Sequence, residues 1–61
     1  MYTIAVDIGG TFTDVVAIDD RSGRTYMGKA LTTPGDLQKG VMNGLANVAE
    51  GIGIDVTSLL G

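Results

Sequence analysis

Gly9 and Gly10 divide the start of the chain into two apolar runs, "YTIAVDI" (Tyr2 to Ile8) and "DVVAIDD" (Asp14 to Asp20). Each is too short for a stable helix and rich in β-branched residues, so each reads as a strand. The second closes on "DDRSGR", where Gly23 can supply the positive φ that a turn requires. A third run, "TYMGKALTT" (Thr25 to Thr33), follows after an equally short link. Strands joined so closely cannot cross over to lie parallel. They fold back on one another as an antiparallel meander of two hairpins.

Alternation puts Tyr2, Ile4 and Val6 on one face of the first strand, and Thr3, Ala5 and Asp7 on the other. On the second strand Val15 and Ala17 oppose Val16 and Ile18, so both faces are apolar. Such a strand belongs in the middle of a sheet covered on both sides. One helix of useful length follows. Thr33 reads as its N-cap, Pro34 as its first residue and Asp36 as a capping-box acid. Leu37, Val41, Leu45, Val48 and Ile52 then recur at helical spacing, the pattern of a core-facing stripe. Gly40 and Gly44 lie within it, each costing up to ~1 kcal/mol relative to Ala in an exposed helix. They read equally well as close-packing positions or as weak points. Gly51 or Gly53 supplies the stop, and Asp55 can cap a second, short helix. The expected class is α/β: a three-stranded antiparallel meander plus a helix, filling residues 1–61 as one incomplete domain. It is incomplete because one helix cannot cover both faces of the second strand.

Size and composition narrow the chemistry. A chain of 61 residues buries only ~60% of the surface its unfolded form exposes. It contains no Cys and no His, which removes disulfides, the usual zinc ligands, thiol nucleophiles and imidazole bases. Hydrophobic residues make up 44% of the sequence, against disorder. No apolar run approaches the ~20 residues a membrane helix needs. "MYTIAV" lacks the basic and long apolar regions of a signal peptide, so a cytoplasmic setting is expected. A net charge of −3 with four Lys and Arg disfavours a nucleic-acid surface. "SLLG" lacks the polar tail of a free end, so the segment reads as the front of a longer polypeptide.

The glycine turn is the candidate site. A P-loop requires a Lys followed by Ser or Thr ahead of a helix, and no Lys precedes Lys29. A dinucleotide fingerprint requires three spaced glycines leading into a helix, whereas here two adjacent glycines lead into a strand. A strand–turn–strand loop remains, and it can hold phosphate in its own way. Without Cβ atoms, Gly9 and Gly10 let an anion approach the backbone amides. Thr11 and Thr13 add hydroxyls whose alternation suggests a shared side. Asp7 is a hard oxygen ligand suited to Mg²⁺, and a carboxylate beside polyphosphate needs a cation between them. Asp14 can orient a water or support the hairpin. Spacing leaves this reading open beside a plain hairpin turn, since Asp and Gly are ordinary turn residues. Asp19, Asp20, Arg21 and Arg24 read as a solvated turn.

"DIGGTFTD" resembles the first phosphate loop of the actin-like ATPase superfamily. The longer wording "VDIGGTFTDVV", followed by "KALTTP" and a helix, is similar to the N-terminal segment of the hydantoinase A and 5-oxoprolinase family. Repressor-type sugar kinases more often carry Lys or Asn where this chain has Phe12. The resemblance implies a ribonuclease-H-like domain, duplicated, with ATP between the halves and Mg²⁺ as cofactor. It implies reactions at a carbonyl: hydrolysis of a cyclic amide such as hydantoin or 5-oxoproline, or carboxylation of a ketone. By the same match, Asp7 would be the catalytic, Mg²⁺-associated carboxylate, with Gly9, Gly10, Thr11, Thr13 and Asp14 around the phosphates. Family members run to several hundred residues, and this chain resembles only their first β-β-β-α. The expected partners are the rest of the same subunit or other subunits of a complex, plus a small carbonyl substrate, with no nucleic acid or membrane. The 61 residues alone are expected to be inactive. A sugar- or acetate-type kinase segment, a non-catalytic scaffold and a self-standing small domain are the competing readings.

Overall fold

The computed structural model describes all residues, 1–61. Three strands, β1 (Tyr2–Ile8), β2 (Phe12–Asp19) and β3 (Thr25–Leu31), precede two helices, α1 (Leu37–Ile52) and α2 (Val56–Leu60). The sheet order is β1-β2-β3 and both pairings are antiparallel, the expected meander. The β1–β2 register runs from Tyr2 opposite Asp19 to Ile8 opposite Thr13. β2 starts at Phe12, ahead of the apolar run, because Phe12 and Thr13 find partners in Leu31 and Ala30 of β3. Its far turn is held by the Asp19 carbonyl, which accepts from Gly23 N–H at 2.8 Å, with Gly23 at φ 76°. The Arg21 backbone N–H donates to the Asp19 carboxylate at 2.9 Å and, as the largest influence, lowers that group's pKa below its ordinary value.

α1 starts three residues later than the sequence suggests. Thr33, Pro34, Gly35 and Asp36 form a turn closed by the Asp36 N–H donating to the Thr33 carbonyl at 2.9 Å. Asp36, not Thr33, is the N-cap, its carboxylate accepting from the Lys39 N–H at 3.2 Å. Gly directly after Pro favours a turn over a first helical turn, and the Asp side chain then satisfies an amide that has no helical partner. At the other end Gly53 adopts φ 94°, and the Ala49 carbonyl accepts from both Gly53 and Ile54 N–H groups. The bond from Ile54 is the six-to-one contact of a Schellman ending. Asp55 caps α2 by accepting from Ser58 N–H at 2.8 Å, the bond that chiefly lowers its pKa below the ordinary value.

The core lies between α1 and one face of β2 and β3. Val15, Ala17, Leu45, Val48, Ala49 and Leu59 are buried there, with Tyr2, Ile4, Tyr26, Val41 and Ile52 packed around them. The helix face that enters is Gly40, Gly44, Leu45, Val48 and Ala49, while Leu37 of the expected stripe stays about half exposed. The helical glycines are therefore packing positions. A Cβ on Gly44 would stand 2.7 Å from Cγ2 of Val15, and one on Gly28 of β3 would stand 2.5 Å from Cγ2 of Val48. Neither distance is sterically possible, so α1 lies closer to the sheet than side chains at these positions would allow.

The opposite face of the sheet has no covering layer. Val16 and Ile18 are half-buried on it, and Met27 and Leu31 beside them are 75% and 66% exposed. β2 thus has the apolar character on both faces that its sequence announced, and this chain covers one of them. No helix is long and apolar enough to cross a membrane.

Candidate functional site

The site begins with register. Asp7 near the end of β1 faces Asp14 of β2, and Asp14 faces Lys29 of β3, so the three charges form one row across the sheet. The row lies on the uncovered face, because Thr13 and Val15 on either side of Asp14 point under α1. Lys29 Nζ stands 3.8 Å from Asp14 Oδ1 and 5.0 Å from the centroid of the Phe12 ring, a cation–π distance. Both charged groups of that pair are substantially exposed, so it contributes little to stability. The Asp7 carboxylate forms neither an ion pair nor a hydrogen bond within the chain. Like charges directly opposite on neighbouring strands repel, and the single Lys lies on the Asp14 side.

The loop from Gly9 to Phe12 closes the row at one end. The Gly9 N–H donates to the Phe12 carbonyl at 2.9 Å, and a Cβ on Gly9 would come 3.0 Å from that same oxygen. Gly10 differs. Its φ is not positive and a Cβ there would meet nothing within 4 Å, so neither backbone conformation nor packing demands glycine. The backbone N–H groups of Gly10 and Thr11 have no acceptor in the chain.

Thr11 and Thr13 do not share an accessible side. Thr11 is exposed at the loop, whereas Thr13 is fully buried beneath α1, its hydroxyl 3.0 Å from that of Thr32. The Thr32 hydroxyl in turn donates to the Gly9 carbonyl at 2.8 Å, and the Thr32 N–H donates to the Thr11 carbonyl at 2.8 Å. Of the residues singled out from sequence, Asp7, Gly9, Gly10, Thr11 and Asp14 gather on or beside the open face, and Thr13 supports the loop from behind. Lys29 and Thr32 were not singled out. Counting back from the Gly23 turn aligns Asp14 with Lys29, so the signal for Lys29 was present in the hairpin lengths. The same count places Thr32 opposite Thr11, one step beyond Phe12 and Leu31, but the bond of its hydroxyl to the Gly9 carbonyl depends on how the loop folds and had no sequence signal.

Asp7 and Asp14 are the only acidic side chains in the row, and no three potential metal ligands converge anywhere in the chain. Two hard carboxylate oxygens beside unpartnered amides fit Mg²⁺, which takes one or two carboxylates and completes its shell with water and phosphate oxygens. The 61 residues form no pocket of their own, so the row and loop make up one wall of any site.

A glycine hairpin leading a meander backed by one helix, with the other sheet face uncovered, is an α/β arrangement that fits part of a larger domain. The sequence matches the hydantoinase/oxoprolinase N-terminal region over residues 3–60, and the chain belongs to that family. It is 40% identical over 52 residues to the caprolactamase subunit alpha of Pseudomonas jessenii, a match covering 85% of this chain and 7% of that protein. It is also 40% identical over 58 residues to the acetophenone carboxylase gamma subunit of Aromatoleum aromaticum, covering 95% of this chain and 8% of that protein. An uncharacterised protein of Methanocaldococcus jannaschii is 41% identical over 44 residues, 72% of this chain and 6% of the relative. The chain thus spans less than a tenth of the length of these relatives. No solved structure matches it.

Proposed function

We propose that this segment carries the phosphate loop of an ATP- and Mg²⁺-dependent enzyme acting on a carbonyl substrate, by hydrolysis of a cyclic amide or carboxylation of a ketone. The observation that carries the reading is the unpartnered Asp7 carboxylate, held opposite Asp14 at the mouth of a glycine loop with free amides. A stable fold gains nothing from facing carboxylates, whereas a divalent cation between them and a phosphate chain reverses the sign of the interaction. The family and the names of two relatives supply the substrate class: a caprolactamase is named for a lactam and an acetophenone carboxylase for an aryl ketone.

In this reading Asp7 holds Mg²⁺, directly or through water, and Asp14 is its neighbour, already part-neutralised by Lys29. The unpartnered amides of Gly10 and Thr11 receive phosphate oxygens, and the missing Cβ of Gly10 leaves room for them. Mg²⁺ supplies charge neutralisation at the phosphates, and phosphoryl transfer rests mainly on such positioning and charge. The remainder of a longer subunit, or other subunits of a complex, would complete the nucleotide and substrate pockets, in a cytoplasmic setting where both cofactors are at hand.

The test is ATP hydrolysis by the full-length protein in the presence of lactam, hydantoin and ketone substrates. Wild type is expected to show substrate-stimulated, Mg²⁺-dependent turnover. Asp7→Ala should lower it by about a hundredfold or more, the scale on which losing one electrostatic stabiliser is felt. Undiminished ATPase activity in that variant would sink the assignment, and a stable phosphorylated substrate as the end product would point to a kinase instead.

A further inference from the structure

Thr32 is bonded to the glycine loop twice. Its backbone N–H donates to the Thr11 carbonyl, and its hydroxyl donates to the Gly9 carbonyl, each at 2.8 Å. The single hydroxyl proton of Thr32 is committed to Gly9, so the 3.0 Å contact with Thr13 has Thr13 as donor. The result is a directed relay from the buried Thr13 hydroxyl to Thr32 to the Gly9 carbonyl, and hydroxyls in series strengthen one another. Gly40 of α1 packs over it: a Cβ there would crowd the Leu31 carbonyl oxygen at 3.1 Å and meet Thr13 Oγ1 and Thr32 Cα at ordinary contact distances of 3.4 and 3.6 Å.

The relay has a consequence on the other side of the peptide. In a trans peptide the C=O and the following N–H point in opposite directions, and the chain contains no cis bond. Turning the Gly9 carbonyl toward Thr32 therefore turns the Gly10 N–H away from it. The Gly9–Gly10 peptide has glycine on both sides, so no Cβ opposes its rotation. Rotated the other way, it would present a carbonyl oxygen where an anion is to be received.

We infer that Thr32 is a positioning residue, a latch whose hydroxyl fixes the orientation of the Gly9–Gly10 peptide and so keeps the Gly10 amide available to a bound phosphate. This inference rests on the phosphate-loop reading above. It assigns to Thr32 a role in nucleotide affinity rather than in chemistry, and it makes Thr13 the buried anchor of the latch.

Thr32→Val isolates the hydroxyl, because Val keeps the β-branched shape and the backbone N–H bonded to Thr11. In the full-length protein, calorimetric titration with MgATP and steady-state ATPase assays should show affinity weakened about tenfold, the effect of roughly one net hydrogen bond. KM for ATP should rise accordingly, with kcat little changed. Thr32→Ser keeps the donor and should bind within about twofold of wild type. Wild-type affinity in Thr32→Val, or an equal loss in Thr32→Ser, overturns the latch. So does a lowered melting temperature in Thr32→Val with KM unmoved. If Thr32→Val does not fold, Thr13→Val decides: weakened MgATP binding supports the relay, and wild-type affinity overturns it. Wild-type protein that binds no MgATP overturns the phosphate-loop reading, and the latch with it. Wild-type binding beside an unaffected Thr32→Val overturns the latch alone.

Discussion

Gly10 is the residue at which folding and the proposed function come apart most cleanly. Gly9, one position earlier, is constrained by the Phe12 carbonyl at 3.0 Å from any Cβ, so a substitution there would disturb hairpin closure itself. Gly10 has open space and no positive φ. Gly10→Ala should therefore leave thermal stability unchanged or raise it by about 0.4–1 kcal/mol, by restricting the unfolded chain. In the same variant MgATP affinity should fall, because the new methyl stands where phosphate approaches the backbone. Parallel melting and calorimetry on the full-length protein check this, and unchanged affinity would mean that the glycine serves no ligand. Asp7 follows the same logic. Its carboxylate faces Asp14 without a bond of its own, so the fold carries it at a small cost. Thr13 is the opposite kind of residue. Its position beneath α1 uses the hydroxyl inside the protein, and the alternation that paired it with Thr11 could not reveal this, because Thr11 lies off the end of β2.

The helix α1 owes its placement to what it lacks. Gly44 meets Val15, and Gly28 of β3 meets both Val48 and the Gly44 carbonyl, so helix and sheet approach through three glycines once Gly40 is included. Propensity alone ranks Gly44→Ala as a gain of about 1 kcal/mol, but packing reverses the sign. With Val15 fully buried and unable to retreat, overpacking should cost about 1–3 kcal/mol. Gly51 supplies the control within the same helix. It is exposed and a Cβ there would meet nothing within 4 Å, so Gly51→Ala should stabilise α1 by up to about 1 kcal/mol. Thermal denaturation and amide exchange along α1 should move in opposite directions for the two variants. The hydrophobic stripe located the helix and, Leu37 apart, its core-facing side, but it missed Gly40 and Gly44 as the points of closest approach, because a pattern built on large apolar residues gives no weight to glycine.

At the scale of the whole chain the uncovered face governs behaviour. The accessible surface is 4012 Å², against about 3,700 Å² for a compact monomer of this mass, and the unit is elongated at 35 × 18 × 16 Å. Met27, Leu31 and Phe12 contribute to the excess. The isolated 61-residue chain should accordingly show no sharp cooperative transition when circular dichroism is followed on heating, and a steep one would establish it as a self-standing domain. The sequence by itself determined the meander, the turn at Gly23, a helix end at Gly51 or Gly53, the cap at Asp55 and the two-sided apolar character of β2. These follow from local backbone preferences and from a two-residue period, which need no knowledge of neighbours. Only the tertiary structure decided that glycines carry the closest contact of α1 with the sheet, that Asp36 rather than Thr33 caps it, and that Thr13 and Thr32 brace the loop. The row of Asp7, Asp14 and Lys29 follows from the hairpin lengths, but the packing of α1 decided that it lies on the uncovered face. Each of these depends on how closely two elements approach and in what register. That is set by the sum of contacts between residues far apart in the chain, where an absent side chain counts as much as a present one.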